Sequence, residues 1–240
     1  MNTIAFEKKG VRMIAHRGVS GLETENTCAA FVAAGNRSYY GIETDIHVTA
    51  DGKYIVIHDE NTKRVSGDDI DVEKSTFETL RRVQLLNRFE SKDRSDLLLP
   101  SLKEYICICK RYEKTAVLEL KNPMTPKDIS GIIEEIRSCG YLPHVLFISF
   151  ALENLITLRE LLPEQPAQYL IEEKVPEDLL KTLKKYRLGL DSESVLLTKE
   201  LVEEVHAFGQ TVNCWTVNTA EEGEKMVQLG VDMITSNILE

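Results

Sequence analysis

The chain has 240 residues, 42% of them hydrophobic and 28% charged, with a net charge of −10. That is ordinary composition for a soluble globular protein, and it fits one α/β barrel of roughly 250 residues better than two independent domains. A surface this acidic repels phosphate backbones and anionic headgroups, which disfavours nucleic-acid binding and stable membrane association. A phosphate-bearing substrate would then need a locally positive site, which a bound cation can supply. No apolar stretch approaches the ~20 residues of a membrane span. The first twelve residues lack the apolar core and small-residue cleavage site of a secretory signal. Five cysteines, with no C-x-x-C pair, read as reduced, buried thiols. The expected location is the cytoplasm.

Short runs rich in Val and Ile alternate with amphipathic stretches along the chain. In order, the pattern predicts a strand at 12–16, a helix at 27–34, strands at 40–47 and 54–58, a helix at 102–112 and a strand at 115–121. It continues with helix 126–139, strand 145–149, helix 152–162, strand 168–171, helix 177–186, strand 187–190, helix 198–208, strand 211–215, helix 220–229 and strand 231–234. Pro126 and Pro176 sit where a first helical turn tolerates proline, and Gly35, Gly140, Gly209 and Gly230 follow helix ends. Such alternation means parallel βαβ units. Strand 54–58 follows the Asp51-Gly52 turn and reads as a hairpin arm of the second strand, leaving eight principal strands, the number of a (β/α)8 TIM barrel. A doubly wound sheet is the rival, but no G-x-G-x-x-G follows the first strand. The expected organisation is therefore one barrel domain over 1–240 with a small insertion at 60–99. That polar, charged insertion reads either as a disordered surface loop or as a lid or specificity region.

The chemistry gathers at strand ends. Strand one closes on His16-Arg17-Gly18. In strand two, Glu43 and Asp45 are two apart and share a face, where two poorly solvated carboxylates ask for something positive between them. The hairpin arm ends in His58-Asp59, and strand 115–121 sets Glu119 and Lys121 on one face opposite Leu118 and Leu120. Oxygen donors of this kind suit Mg2+, Ca2+ or Mn2+ better than zinc. A cation, an Arg and a Lys around one point suit a phosphoryl group, and two histidines can serve as base and acid on either side of it. The residues thus read as a site for metal-assisted phosphoester cleavage. His47 lies on the Glu43/Asp45 face but beyond it, and His144, His206 and the Lys181 to Lys185 cluster read as surface or capping groups. Cys107 and Cys109, two apart on a helix, diverge and cannot share a metal.

At these residues the sequence resembles the glycerophosphodiester phosphodiesterase family. The matching elements, in order, are His16-Arg17-Gly18, Glu25-Asn26-Thr27, Glu43-Thr44-Asp45, Thr49-Ala50-Asp51-Gly52, His58-Asp59 and Pro100-Ser101-Leu102. They go on through Glu119-Leu120-Lys121, Ser149-Phe150, Trp215-Thr216-Val217-Asn218 and Gly230-Val231-Asp232 with Thr235. The resemblance implies a (β/α)8 barrel, one divalent cation and hydrolysis of glycerophosphodiesters to sn-glycerol 3-phosphate and an alcohol. It implies metal ligation by Glu43, Asp45 and Glu119, acid–base work by His16 and His58, phosphate contacts from Arg17 and Lys121, and Trp215 on the glycerol side. Attack on phosphorus by the glycerol 2-hydroxyl and attack by water both fit. A phospholipase C- or D-type activity on (lyso)phospholipids is the alternative, although the polar insertion offers no obvious apolar rim. Two departures stand out: Thr24 replaces the proline usual before Glu25, and the chain reads Ser236-Asn237-Ile238-Leu239-Glu240 where an aspartate and then a proline are usual. An eighth outer helix does not fit there, which leaves that sector to the N-terminal segment, to a second copy in a homo-oligomer, or to nothing.

Overall fold

The computed structural model describes residues 2–240. The elements run β1 (Arg12–Ala15), α1 (Cys28–Gly35), β2 (Gly41–Val48), β3 (Tyr54–Val56), α2 (Lys63–Ser66), α3 (Phe77–Arg81), α4 (Leu102–Arg111) and β4 (Thr115–Leu120). They continue α5 (Pro126–Ser138), β5 (Val145–Ser149), α6 (Leu152–Leu161), β6 (Ala167–Ile171), α7 (Leu179–Tyr186), β7 (Gly189–Glu193), α8 (Lys199–His206), β8 (Val212–Trp215), α9 (Ala220–Leu229) and β9 (Met233–Ser236). Hydroxyl caps start many of the helices: Thr27 accepts from the Ala30 N–H, and Ser101 and Thr125 form capping boxes with Glu104 and Asp128.

Each strand except β3 pairs in parallel with its neighbours, and β1 bonds to both β9 and β2, so eight strands close into a barrel rather than an open sheet. β3 pairs antiparallel with the end of β2 (Ile46 opposite Val56), the hairpin arm the sequence predicts. Inward side chains Ile14, Val117, Leu146, Ile148, Leu170 and Met233 fill the barrel. A larger apolar layer joins the outer faces of the strands to the surrounding helices. Both faces of these parallel strands are covered, which is why they read as apolar runs.

Four expectations are resolved or corrected. The 60–99 insertion is not a disordered loop: Val65, Val72, Leu80, Leu97 and Leu99 bury themselves on Ile55 and Ile57 of the hairpin arm as a core of their own. β7 does not stop at Leu190 but runs to Glu193, because the ladder with β8 continues through Ser192 opposite Cys214. The cysteines are free, but only Cys109 and Cys214 are buried; Cys107 is exposed and Cys28 and Cys139 are half-buried. In the sector beside β9, the segment before β1 packs on the barrel, as one of the expected alternatives has it. Ile4 bridges Leu239, its N–H donates to the Ile238 carbonyl at 3.0 Å, and Glu240 N–H donates back to Ile4 at 2.9 Å. Phe6 lies against α9 at Gly223, where even a Cβ would come within 2.7 Å of the ring.

Candidate active site

The site opens at the carboxyl ends of the strands. There β1 turns sharply: Arg17 adopts φ 52° and Gly18 φ 75°. A side chain on Gly18 would meet Ala30 at 2.7 Å, so the turn requires glycine. This turn aims the Arg17 backbone N–H at Glu43 Oε2 (2.7 Å) and its guanidinium at Glu25 Oε1 (2.9 Å) and Asp45 Oδ2 (3.6 Å). Asn26 Nδ2 donates to Asp45 Oδ2 at 2.7 Å and accepts from Thr44 through Oδ1. Asp45 is thereby fixed from two sides.

Glu43, Asp45 and Glu119 are all buried, and one carboxylate oxygen of each lies within 4.8 Å of the others. Burial, followed by repulsion from Asp45 and Glu119, pushes the Glu43 carboxyl well above the usual range. Burial and then Asp45 raise Glu119 to about 8, against the pull of Lys121. Burial raises Asp45 too, but Arg17, Lys121 and His58 reverse that and hold it below its ordinary range. Lys121 Nζ stands 2.9 Å from Glu119 Oε1 and 3.7 Å from Asp45 Oδ1. Three buried carboxylates thus press together with too little positive charge to ionise all three. Their oxygen donors and their strain of charge fit a hard divalent cation.

Two histidines line the same cavity as Glu43 and Glu119. His16 Nδ1 hydrogen-bonds Asn237 Oδ1 at 2.7 Å, which leaves Nε2 4.0 Å from Glu43 Oε2. Burial, with Arg17 beside it, lowers His16 to about 4, so it is neutral at pH 7. His58 Nδ1 bonds Asp59 Oδ1 at 2.7 Å, and burial lowers its pKa as well. Asp59 in turn accepts from Arg64 Nε at 2.7 Å, and the same guanidinium clamps both oxygens of Glu25, at 2.8 and 2.9 Å. Arg64 belongs to α2, so the insertion reaches into the support of the site.

His16, Arg17, Glu43, His58 and Glu119 line a cavity of about 120 Å³. Its opposite wall is Ile148, Phe150, Leu170 and Trp215, with Asp191 and Thr235 deeper and Glu172 and Thr216 completing the lining. Trp215 meets Phe150 edge-on, ring centres 5.8 Å apart. The structure thus brings together the eight residues singled out from sequence. Asp45 and Lys121 stand behind the cavity's lining rather than on it.

Sequence reasoning gave no role to Asp191, Asn237, Arg64, Glu25 or Asn26. Period-two continuation of β7 through Leu190-Asp191-Ser192 would have found Asp191, whereas Arg64 and Asn237 carry no local signal. His47 is fully buried and bonds Glu73 through Nδ1 (3.1 Å) and the His58 carbonyl through Nε2 (3.3 Å), so it braces the arm instead of lining the cavity. His206 pairs with Asp232 and His144 stacks on Tyr141, both away from the site. No described helix is long and apolar enough to cross a membrane.

Known proteins share this arrangement of chain. A glycerophosphodiester phosphodiesterase of Bacillus altitudinis is 31% identical over 230 residues, 93% of either chain. One from Caldanaerobacter subterraneus is 28% identical over 94% of this chain and 93% of its own. The solved Oleispira antarctica phosphodiesterase, in complex with the product sn-glycerol-3-phosphate, has the same fold, with a TM-score of 0.85 at 24% identity over 98% of this chain and 96% of that one. The model of the glycerophosphoryl diester phosphodiesterase family matches residues 16–240. The chain belongs to that family of enzymes.

Proposed function

We propose that the chain hydrolyses water-soluble glycerophosphodiesters to sn-glycerol 3-phosphate and an alcohol, with His16 and His58 as the acid–base pair and one divalent cation, Mg2+ or Ca2+ with Mn2+ as a third candidate, on Glu43, Asp45 and Glu119. The observation that carries this reading is the buried three-carboxylate cluster flanked by two histidines whose Nδ1 atoms are both engaged. With Asn237 Oδ1 and Asp59 Oδ1 as acceptors, each Nδ1 carries a proton and each Nε2 is left for transfer. One histidine, neutral, takes the proton of the attacking oxygen at Nε2, and the other, entering as the imidazolium, gives its Nε2 proton to the departing alkoxide. When bound, a divalent cation supplies Lewis-acid stabilisation of charge developing on the phosphoryl oxygens. Arg17 and Lys121 add fixed positive charge on the same side, and Trp215 with Phe150 walls the carbon skeleton off from water. In this reading residues 60–99 are an insertion within the single barrel domain of residues 1–240, which holds His58 through Arg64 and Asp59. Free cysteines support a cytoplasmic setting.

The test is release of glycerol 3-phosphate from glycerophosphoethanolamine and glycerophosphocholine after EDTA treatment, with Mg2+, Ca2+ and Mn2+ restored one at a time. Release that returns with a cation and is lost in His16→Ala is the expected result. Turnover confined to micellar lysophosphatidylcholine would replace this reading with the phospholipase D-type one.

A further inference from the structure

The floor of the cavity holds a carboxylate that none of the chemistry above uses. Strand register places Glu43, Ile148, Asp191 and Thr235, from alternate strands, in one layer of the barrel, with His16, Glu119, Leu170 and Trp215 in the layer above. Asp191 therefore faces Glu43 across the barrel and lies on the wall away from Arg17 and Lys121. It is 2% exposed.

Its hydrogen bonding is incomplete in a specific way. Asn213 Nδ2 donates to Asp191 Oδ2 at 3.1 Å and to Thr235 Oγ1 at 2.9 Å, which uses both hydrogens of that amide. Asp191 Oδ1 is left buried without a partner among the described residues, and so is Trp215 Nε1, on the same cavity. A buried orphan of this kind costs free energy unless something else completes it. One orphan accepts and the other donates. An ammonium group only donates and a phosphate only accepts, while a hydroxyl does both. A phosphate would also be repelled by the carboxylate and is better held on the opposite wall. Burial pushes the Asp191 carboxyl up to about 7, and a hydroxyl suits it with or without its proton.

We infer that Asp191 is the specificity-determining residue for the glycerol half of the substrate: its free Oδ1 takes the hydrogen of a glycerol hydroxyl at the cavity floor, where Trp215 Nε1 can donate to a hydroxyl oxygen. The inference rests on the glycerophosphodiester reading above and says which part of the substrate lies innermost.

The experiment is calorimetric binding of sn-glycerol 3-phosphate, propyl phosphate and phosphoethanolamine to the wild type and to Asp191→Ala. These ligands share the phosphate and differ in carrying hydroxyls, neither group, or an ammonium. The expected result is that wild type prefers glycerol 3-phosphate to propyl phosphate, and that the substitution weakens glycerol 3-phosphate about tenfold or more while leaving propyl phosphate unchanged. Should Asp191→Ala fail to melt cooperatively, Asp191→Asn, which keeps volume and an acceptor oxygen, gives the same preference with a smaller loss. Equal weakening of all three ligands, or selective loss of phosphoethanolamine, overturns the inference. Hydrolysis of glycerophosphoethanolamine by the wild type is read separately: turnover without a hydroxyl preference sinks this inference alone, and preference without turnover sinks the reaction.

Discussion

The two walls of the cavity are built on opposite plans. On the β1, β2 and β4 side, charged groups face one another: Arg17 between Glu25 and Asp45, Lys121 between Asp45 and Glu119, and Arg64 between Glu25 and Asp59. On the β5 to β8 side, Ile148, Phe150, Leu170 and Trp215 present apolar surface, and two buried polar atoms, Asp191 Oδ1 and Trp215 Nε1, have no hydrogen-bond partner among the described residues. The first wall is organised before any substrate arrives, so it spends little reorganisation at the moment charge develops. The second keeps two buried polar atoms unpaired, which the inference above assigns to the substrate's hydroxyls. Changes to the first wall should therefore act on turnover, and changes to the second on which ligand is held.

The sharpest way to break that division is Glu119→Gln. The substitution keeps the volume but removes one carboxylate from the cluster and the charge facing Lys121. The expected effect is a loss of about 10³-fold or more in kcat, with glycerol 3-phosphate still bound. Steady-state kinetics with each cation, set beside calorimetry, checks it. A variant that keeps wild-type kcat would remove Glu119 from the reacting centre.

A smaller effect is expected at Arg64→Ala, at the back of the charged wall and off the cavity's lining. Its guanidinium holds Asp59 behind His58 and Glu25 behind Arg17, so its loss should loosen both at once. About a tenfold fall in kcat with little change in KM is expected, in line with other groups that orient a catalytic side chain. An equal rise in KM alone would place Arg64 in binding instead.

The charged wall was largely legible in the sequence, the apolar wall much less so. Alternation with period two puts Glu43 beside Asp45 and Glu119 beside Lys121 whatever the tertiary context, and strand ends in a barrel converge on one mouth. β7 resisted because strand prediction follows apolar runs, and Asp191-Ser192-Glu193 is a polar run whose Asp191 lines the cavity. Arg64 reaches Glu25 across 39 positions of chain and Asn237 reaches His16 across 221, distances over which composition and periodicity carry nothing. The insertion hid its order in the same way, since Val65, Val72, Leu80, Leu97 and Leu99 follow no period and cohere only on the hairpin arm.

The subtlest test separates the walls by pH. Burial raises Glu119 to about 8 and Asp191 to about 7, against ordinary carboxyl values of 4.5 and 3.8. A carboxyl raised on folding binds its proton more tightly in the native state. The stability it contributes is thus full below the unfolded value and is lost as pH rises through the folded one. In EDTA, the melting temperature should fall by a few degrees between about pH 6.5 and pH 8, since below 6.5 the lowered imidazole of His16 adds a slope of the opposite sign. The two shares part when cation is restored. Glu43 and Glu119, both raised by burial, would then be held ionised on the proposed cation site and drop out of the slope, while Asp191, on the far wall, keeps its own contribution. Asp191→Asn should remove the remaining slope in the presence of cation and only part of it in EDTA. Thermal melts across that pH range, with and without Mg2+, read both. A slope that cation abolishes entirely in the wild type would mean that Asp191 feels the charge across the barrel, and the two walls would then act as one electrostatic unit.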